Sequence, residues 1–359
     1  MKKIFFLAAI TLAAASCLKD NSVVVESSKE INFKAMTNVA TKADAQLDTT
    51  ILTADYRIYA SATQRKADGT IENPAYFTDQ AFDTEDETPT VASTYHAWGT
   101  DGKAPIYWPI GGCELDYIAY AMPEAAYKSQ TLTEGPVATY LNATTDVASH
   151  LAFNEWDTYK SQVDVLYAVM NGATTAENAG TETVGLTFNH AQALLVFKAK
   201  INAGYENILQ INEIKMDGLL VKGNFIVDNT KNNLVVSWDN LVAVTSEDIV
   251  AEGANPANDN LHEYVPTENP TDAASEYLDN TTDFEQVGST LLIPQQPAIN
   301  FVVKYTVSGK QMTYEFNHVR KAWEMGKKYV YLLDFNLNEI IVTEQVEAYV
   351  VEETPIPLS

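Results

Sequence analysis

Two cysteines, five histidines and 48 acidic residues are the side chains of this 359-residue chain on which covalent or metal chemistry could rest. The histidines stand at 96, 150, 190, 262 and 318, with no His-x-x-x-His and no cysteine pair, so spacing yields no zinc set. Asp334, Asn336 and Asn338 in DFNLNE imitate the start of a calcium loop, but Glu339 stands where its sharp turn needs glycine. A spacing of two is better read as the polar face of a strand whose other face carries Phe335 and Leu337. No Gly-x-Ser-x-Gly occurs, so a nucleophile elbow is not expected. Sugar hydrolysis needs two carboxylates at a set separation, and nothing singles out a pair. The reading is therefore of a non-enzyme, with no catalytic residue, no metal ligand and no cofactor. One chemically committed residue remains, Cys17, at the foot of an apolar run.

That run, Ile4 to Ala15, follows Lys2 and Lys3. It is too short to cross a hydrocarbon layer of roughly 30 Å, which takes about 20 helical residues. It suits a cleaved signal over residues 1–16. Leu12, Ala13, Ala14, Ala15 and Ser16 lead directly into Cys17, and this resembles the lipobox of bacterial lipoproteins. The resemblance implies that Cys17 becomes the first residue and that its thiol carries lipid, with acyl chains such as palmitate. Each buried methylene contributes about 0.8 kcal/mol, and more than one chain is needed to hold a protein on a membrane. Leu18, Lys19, Asp20 and Asn21 resemble the surface-export tag of Bacteroidetes outer-membrane lipoproteins, which implies an outer-membrane, cell-surface location. Residues 17–30 read as a lipidated tether.

The formal charge is −25, and two units more negative once Lys2 and Lys3 leave. A surface that acidic repels nucleic acid, which is not expected as a partner. With Cys17 committed, Cys113 has no mate, so packing alone must hold the fold. The 19 Tyr, 13 Phe and 5 Trp offer ample aromatic surface for that.

The elements that would position these residues are strands. Val184, Leu186 and Phe188 alternate, and the apolar set continues through Leu195, Phe197, Ala199 and Ile201. Phe301, Val303, Tyr305 and Val307 face Met312, Tyr314 and Phe316 across a short glycine turn. A second hairpin is read around Asp228–Asn233, and a third around Asn336–Asn338. Leu115, Tyr117 and Ala119 supply core from another strand, and Tyr107–Trp108 before Pro109 is biased to an extended form. No sustained helical stripe appears, so the class is all-β, most naturally a sandwich of short antiparallel strands. Polar stretches at 83–94 and 246–286 read as long loops, and 171–183 as a boundary between units at 31–180 and 181–359.

Taken in order, EINFKAMTN, TKA, PIYWPIGGCELDYIAYAMP, VGLTFNHAQALLVFKAKI, LLIPQQP, YTVSGKQMTYEF and WEMGKKYVYLLDF resemble the fimbrillins of Bacteroidetes. The likeness is to the Mfa-like branch of the FimA-type pilins and their accessory subunits. It implies a lipoprotein precursor of two transthyretin-like antiparallel β-sandwich domains with long loops. It also implies a subunit of adhesive surface fimbriae, in which a protease that cuts after arginine or lysine removes the first strand. A neighbour's C-terminal strand then fills the groove. Carried onto this chain, the removable strand is Ile31 to Met36, with Ile31, Phe33 and Ala35 facing inward. Cleavage candidates are Lys42, Arg57 within an alternating run, and Arg65 in a polar turn with Lys66 and Gly69. The donor comb is Val346, Ala348 and Val350, which could equally complete the protein's own sheet. Implied partners are other fimbrial subunits, outer-membrane lipid through Cys17, and host proteins or glycans. The alternative is a monomeric surface lipoprotein that binds a glycan or host ligand.

Overall fold

The computed structural model describes residues 29–39, 48–51, 56–85, 93–109, 113–123, 137–141, 149–158, 162–174, 183–203, 208–230, 233–243, 282–296, 298–319, 322–336 and 340–348. Among them every regular element is a strand, as the alternation predicts.

The first sheet holds β1 (Asn32–Val39), β2 (Asp48–Ile51), β3 (Tyr56–Arg65), β4 (Ile71–Asp83), β5 (Tyr95–Gly99), β6 (Gly102–Lys103) and β7 (Glu114–Pro123). It takes in β10 (Leu166–Thr174) and β11 (Thr183–His190) as well. Their order is β2-β1-β11-β10-β7-β3-β4-β5-β6, and β1 also pairs with β5. That extra pairing curls the sheet into a closed ring, which leaves few unpaired edges. Inside it lie Ile31, Phe33, Ile58, Phe82, Tyr117 and Leu186, among other buried side chains.

A second sheet is built from both sides of the expected 171–183 boundary. It holds β8 (Ala138–Leu141), β9 (Ser149–Asp157), β14 (Leu220–Thr230) and β15 (Asn233–Ala243), in the order β15-β14-β9-β8. Its Leu151, Phe153, Phe225 and Val227 pack on Tyr59, Ile118, Tyr120 and Met122, which point outward from the ring. Strand β7 is therefore covered on both faces. Leu115, Tyr117 and Ala119 enter the ring as expected, and the alternate set is buried under the second sheet. A strand buried twice reads as a continuous apolar run, and YIAYAM is one.

The C-terminal part is a sandwich. One layer is β16 (Glu285–Leu292), β12 (Ala193–Ile201), β19 (Lys327–Phe335) and β20 (Ile340–Ala348) in that order. The other is β13 (Leu209–Asp217), β17 (Ala298–Val307) and β18 (Lys310–Val319). Aromatic rings bridge the layers: Phe301 lies 5.2 Å from Tyr331 and 6.0 Å from Phe197. The β17–β18 hairpin brings the expected apolar sets face to face, with Phe301 opposite Phe316, Val303 opposite Tyr314 and Tyr305 opposite Met312. Ser308 and Gly309 form its turn with φ of 49° and 78°, the left-handed pair that matches strand twist. The alternation of β11 does not run on into one sheet with β12. β11 belongs to the ring and β12 to the sandwich.

Candidate functional site

The two terminal strands are where the residues of interest lie. β1 forms ladders along both edges. On one it runs parallel to β11, from Asn32 opposite Thr183 to Thr37 opposite Phe188. On the other it runs antiparallel, first to β5 at Asn32 and Phe33, then to β2 from Met36 to Val39. Its entry is clamped by Ile106 and Trp108: the Ile31 amide donates to the Ile106 carbonyl at 2.7 Å, and the Trp108 amide donates to the Lys29 carbonyl at 2.8 Å.

Ile31, Phe33 and Thr37 are wholly buried and Ala35 is 4% exposed. The inward comb thus runs one residue beyond the expected strand end at Met36. A threonine counts as polar in a sequence pattern, and its methyl group is what lets it continue an apolar face. The Phe33 ring sits 4.4 Å from that of Phe82 and meets Tyr117 edge-on at 5.3 Å. Burying each large side chain of this kind contributes about 1.5–3 kcal/mol, so β1 is a substantial part of the ring's core.

At the other end, β20 lies along one edge of its sheet and pairs with β19, from Lys327 opposite Ala348 to Phe335 opposite Ile340. Ile340 is buried, and Val342 and Val346 are partly buried against the sandwich core. Ile341, on the opposite face, is 46% exposed. Polar contacts fasten the strand: Lys328 Nζ lies 3.1 Å from Glu347, and the Tyr331 hydroxyl donates to Glu344 at 3.1 Å. Burial, with the Glu344 carboxylate beside it, pushes the Tyr331 phenol far above its ordinary value. Of the expected donor comb, Val346 packs on the protein's own core and Ala348 ends the strand, while Val350 lies outside the described residues.

The three cleavage candidates differ in setting. Lys42, between β1 and β2, lies outside the described residues, as does Cys17. Arg57 is within β3, opposite Met122, and its guanidinium donates to Asp83 at 2.7 Å. Arg65 ends β3 rather than entering the turn. Its Nε donates to Asp116 and its Nη1 to the Gly69 carbonyl at 3.1 Å. Asp116 is itself buried and also accepts the Gly172 amide at 2.8 Å, so Arg65 belongs to a fixed network.

With the geometry in view, the sequence of residues 37–348 matches the fimbrillin-like family model. The chain belongs to the fimbrillin-like family. That family is a structural and adhesive class, not an enzymatic one, and its setting is the cell surface and the fimbrium. Two crystal structures share the fold of this fimbrillin-like chain. One is a Bacteroides ovatus protein provisionally assigned to cell adhesion, with 16% identity, a TM-score of 0.52, and coverage of 91% of this chain and 100% of that one. Another is a fimbrial protein of Bacteroides vulgatus, with 14% identity, a TM-score of 0.53, and coverage of 89% and 99%. No curated protein matches the sequence.

The remaining polar residues of interest serve structure. His190 Nδ1 lies 2.9 Å from Asp164 in the interior, and the Tyr56 hydroxyl donates to the same carboxylate at 3.1 Å. His150 pairs with Asp228 on the second sheet, and His96 faces Glu30 beside β1. Asp334 pairs with Lys200 at 3.1 Å, and Asn336 accepts a hydrogen bond from Asn202, so neither is arranged as a calcium ligand. Among the described residues no group of three or more His, Cys, Asp or Glu is placed to hold a metal. The clamp at Ile106–Trp108 has no clear signature in the sequence. The extended bias of Tyr107–Trp108–Pro109 was the one signal for it, and nothing local gave its partner.

Proposed function

We propose that this protein is a structural or accessory subunit of surface fimbriae, tethered by lipid on Cys17 and matured by proteolytic removal of its first strand. A strand from another subunit then fills the vacated groove, and the assembled fibre supports adhesion. The observation that carries this reading is the placement of β1. It is the first strand of the ring, its comb of Ile31, Phe33, Ala35 and Thr37 fills the interior, and both its edges are hydrogen-bonded. Loss of such a strand opens a groove that main-chain bonds and side-chain pockets are suited to refill by strand addition.

Lys42 is the favoured cleavage point. A cut there frees β1 and leaves β2 attached to the body, whereas Arg57 and Arg65 lie within the β3 ladders with β7. A protease must take its substrate in extended form, so cutting at either arginine requires β3 to leave the sheet. The donor is an apolar comb from the C-terminal strand of a neighbouring subunit; this chain's own candidate comb is Val346, Ala348 and Val350.

Intact mass and N-terminal sequencing of protein from native cells test the reading. The expected precursor carries lipid on Cys17, and the expected mature form begins after Lys42 and is held in detergent-stable ladders. Mature protein that retains Ile31–Met36 and is never joined to another chain overturns it. Cys17→Ala is expected to leave the protein soluble in the cell envelope; membrane fractionation that persists at high salt refutes the lipid tether.

A further inference from the structure

We infer that the groove vacated by β1 accepts a strand with a large aliphatic, an aromatic and a small residue at alternate positions, and that this chain's own tail is not that strand. The inference rests on the strand-exchange reading above and adds the identity of the donor, a different subunit rather than a second copy.

The pockets are defined by what fills them now. In chain order they hold Ile31, Phe33, Ala35 and Thr37, all but closed to solvent. The second holds the largest of these side chains, Phe33, against the Phe82 and Tyr117 rings. The third is small, and a larger side chain there meets a packed interior. A strand that keeps both ladders must run in the direction of β1, parallel to β11 and antiparallel to β5.

The tail reads IIVTEQVEAYVVEE from residue 340. Its best alignment sets Ala348 in the Ala35 pocket and Val350 in the Thr37 pocket, both good matches of volume. That same register puts Val346 in the Phe33 pocket, leaving a void, and Glu344 in the Ile31 pocket, burying a carboxylate without a partner. Sliding by two sets Ala348 against the Phe33 space and Val350 into the Ala35 pocket, with Glu352 in the Thr37 pocket. The other face of the tail offers Tyr349 for the Phe33 pocket but then places Glu347 in the Ile31 pocket. Every register in this direction therefore buries a glutamate. Meanwhile Glu344 and Glu347 have good partners at home, in Tyr331 and Lys328 on β19.

The test uses the full mature chain with a site-specific protease sequence placed in residues 40–47. After folding, the chain is nicked and β1 is exchanged against excess peptide, followed by the release of a labelled β1 fragment. A peptide of residues 31–37 is expected to displace β1. Its Phe33→Ala version should be weaker by roughly 100-fold or more, in line with the loss of a buried phenylalanine. The peptide of residues 344–352 should fail to displace it, and the same peptide with Glu344→Ile and Val346→Phe should recover displacement. Equal displacement by the unaltered tail peptide overturns the donor assignment while leaving strand exchange standing. Absence of exchange with every peptide, the β1 sequence included, removes strand exchange and this inference together.

Discussion

Strands β1 and β20 both present an alternating apolar comb, yet the fold treats them differently. β1 has neighbours along both edges and a comb that is closed off from solvent. Among the described residues β20 has one neighbour, a half-buried face, and an exposed face carrying Ile341. The period-two pattern is the same in both. What differs is how many elements from distant parts of the chain come to cover it. An inserted strand seals the core and is hard to release, while an edge strand can be peeled from one side.

That contrast can be broken by substitution, and the largest effect is expected at Phe33. Phe33→Ala should destabilise the folded chain by about 3–5 kcal/mol, measured by denaturant unfolding. A loss under about 1 kcal/mol would mean that β1 is not part of the cooperative core. Overfilling comes next: Ala35→Leu should cost about 1–3 kcal/mol, because the site opens onto the packed ring interior.

Alkaline titration probes one tyrosine next to each strand. Burial raises the phenols of Tyr117, edge-on to Phe33, and Tyr331, beside Glu344, above the ordinary value near 10. The folded protein then keeps protons that the unfolded chain releases. Stability should fall as pH rises through 10, by at most about 1.4 kcal/mol per pH unit for each group. Tyrosinate absorbance should lag behind that of the denatured chain and rise with unfolding; early, non-cooperative ionisation of both would contradict their burial.

On β20 the effects should be smaller. Val346→Ala should cost about 1 kcal/mol or less, since its side chain is only partly covered. Ile341→Ser, on the exposed face, should stay within about 0.5 kcal/mol of the parent. A Val346→Ala loss that matches Phe33→Ala would erase the distinction between the two ends.

Much of this architecture is legible in local pattern. The β17–β18 hairpin is legible as two facing apolar sets across a short glycine turn, and the structure adds the pairing, with Val307 opposite Lys310. The inward set of β1 was readable in the same way, apart from Thr37. Arg65 reads as a turn residue because Lys66 and Gly69 follow it. Its partner Asp116 lies 51 positions away, and no local signal announces that pairing. The run from β11 into β12 was equally opaque: both strands alternate cleanly, and only their separate partners show that Ala191 and Gln192 divide a ring from a sandwich.

By itself, then, the sequence determined that the chain folds as strands, which face of most of them is apolar, and where its tightest hairpins turn. These properties depend on residues two to four positions apart, and side-chain alternation and turn chemistry encode them directly. Only the tertiary structure decided that β1 closes a ring between β5 and β11, that β7 is covered on both faces, and that β20 lies beside β19 at the edge of the sandwich sheet. Those outcomes depend on contacts between segments separated by tens to hundreds of residues. An alternating strand carries the same pattern whichever partner it meets.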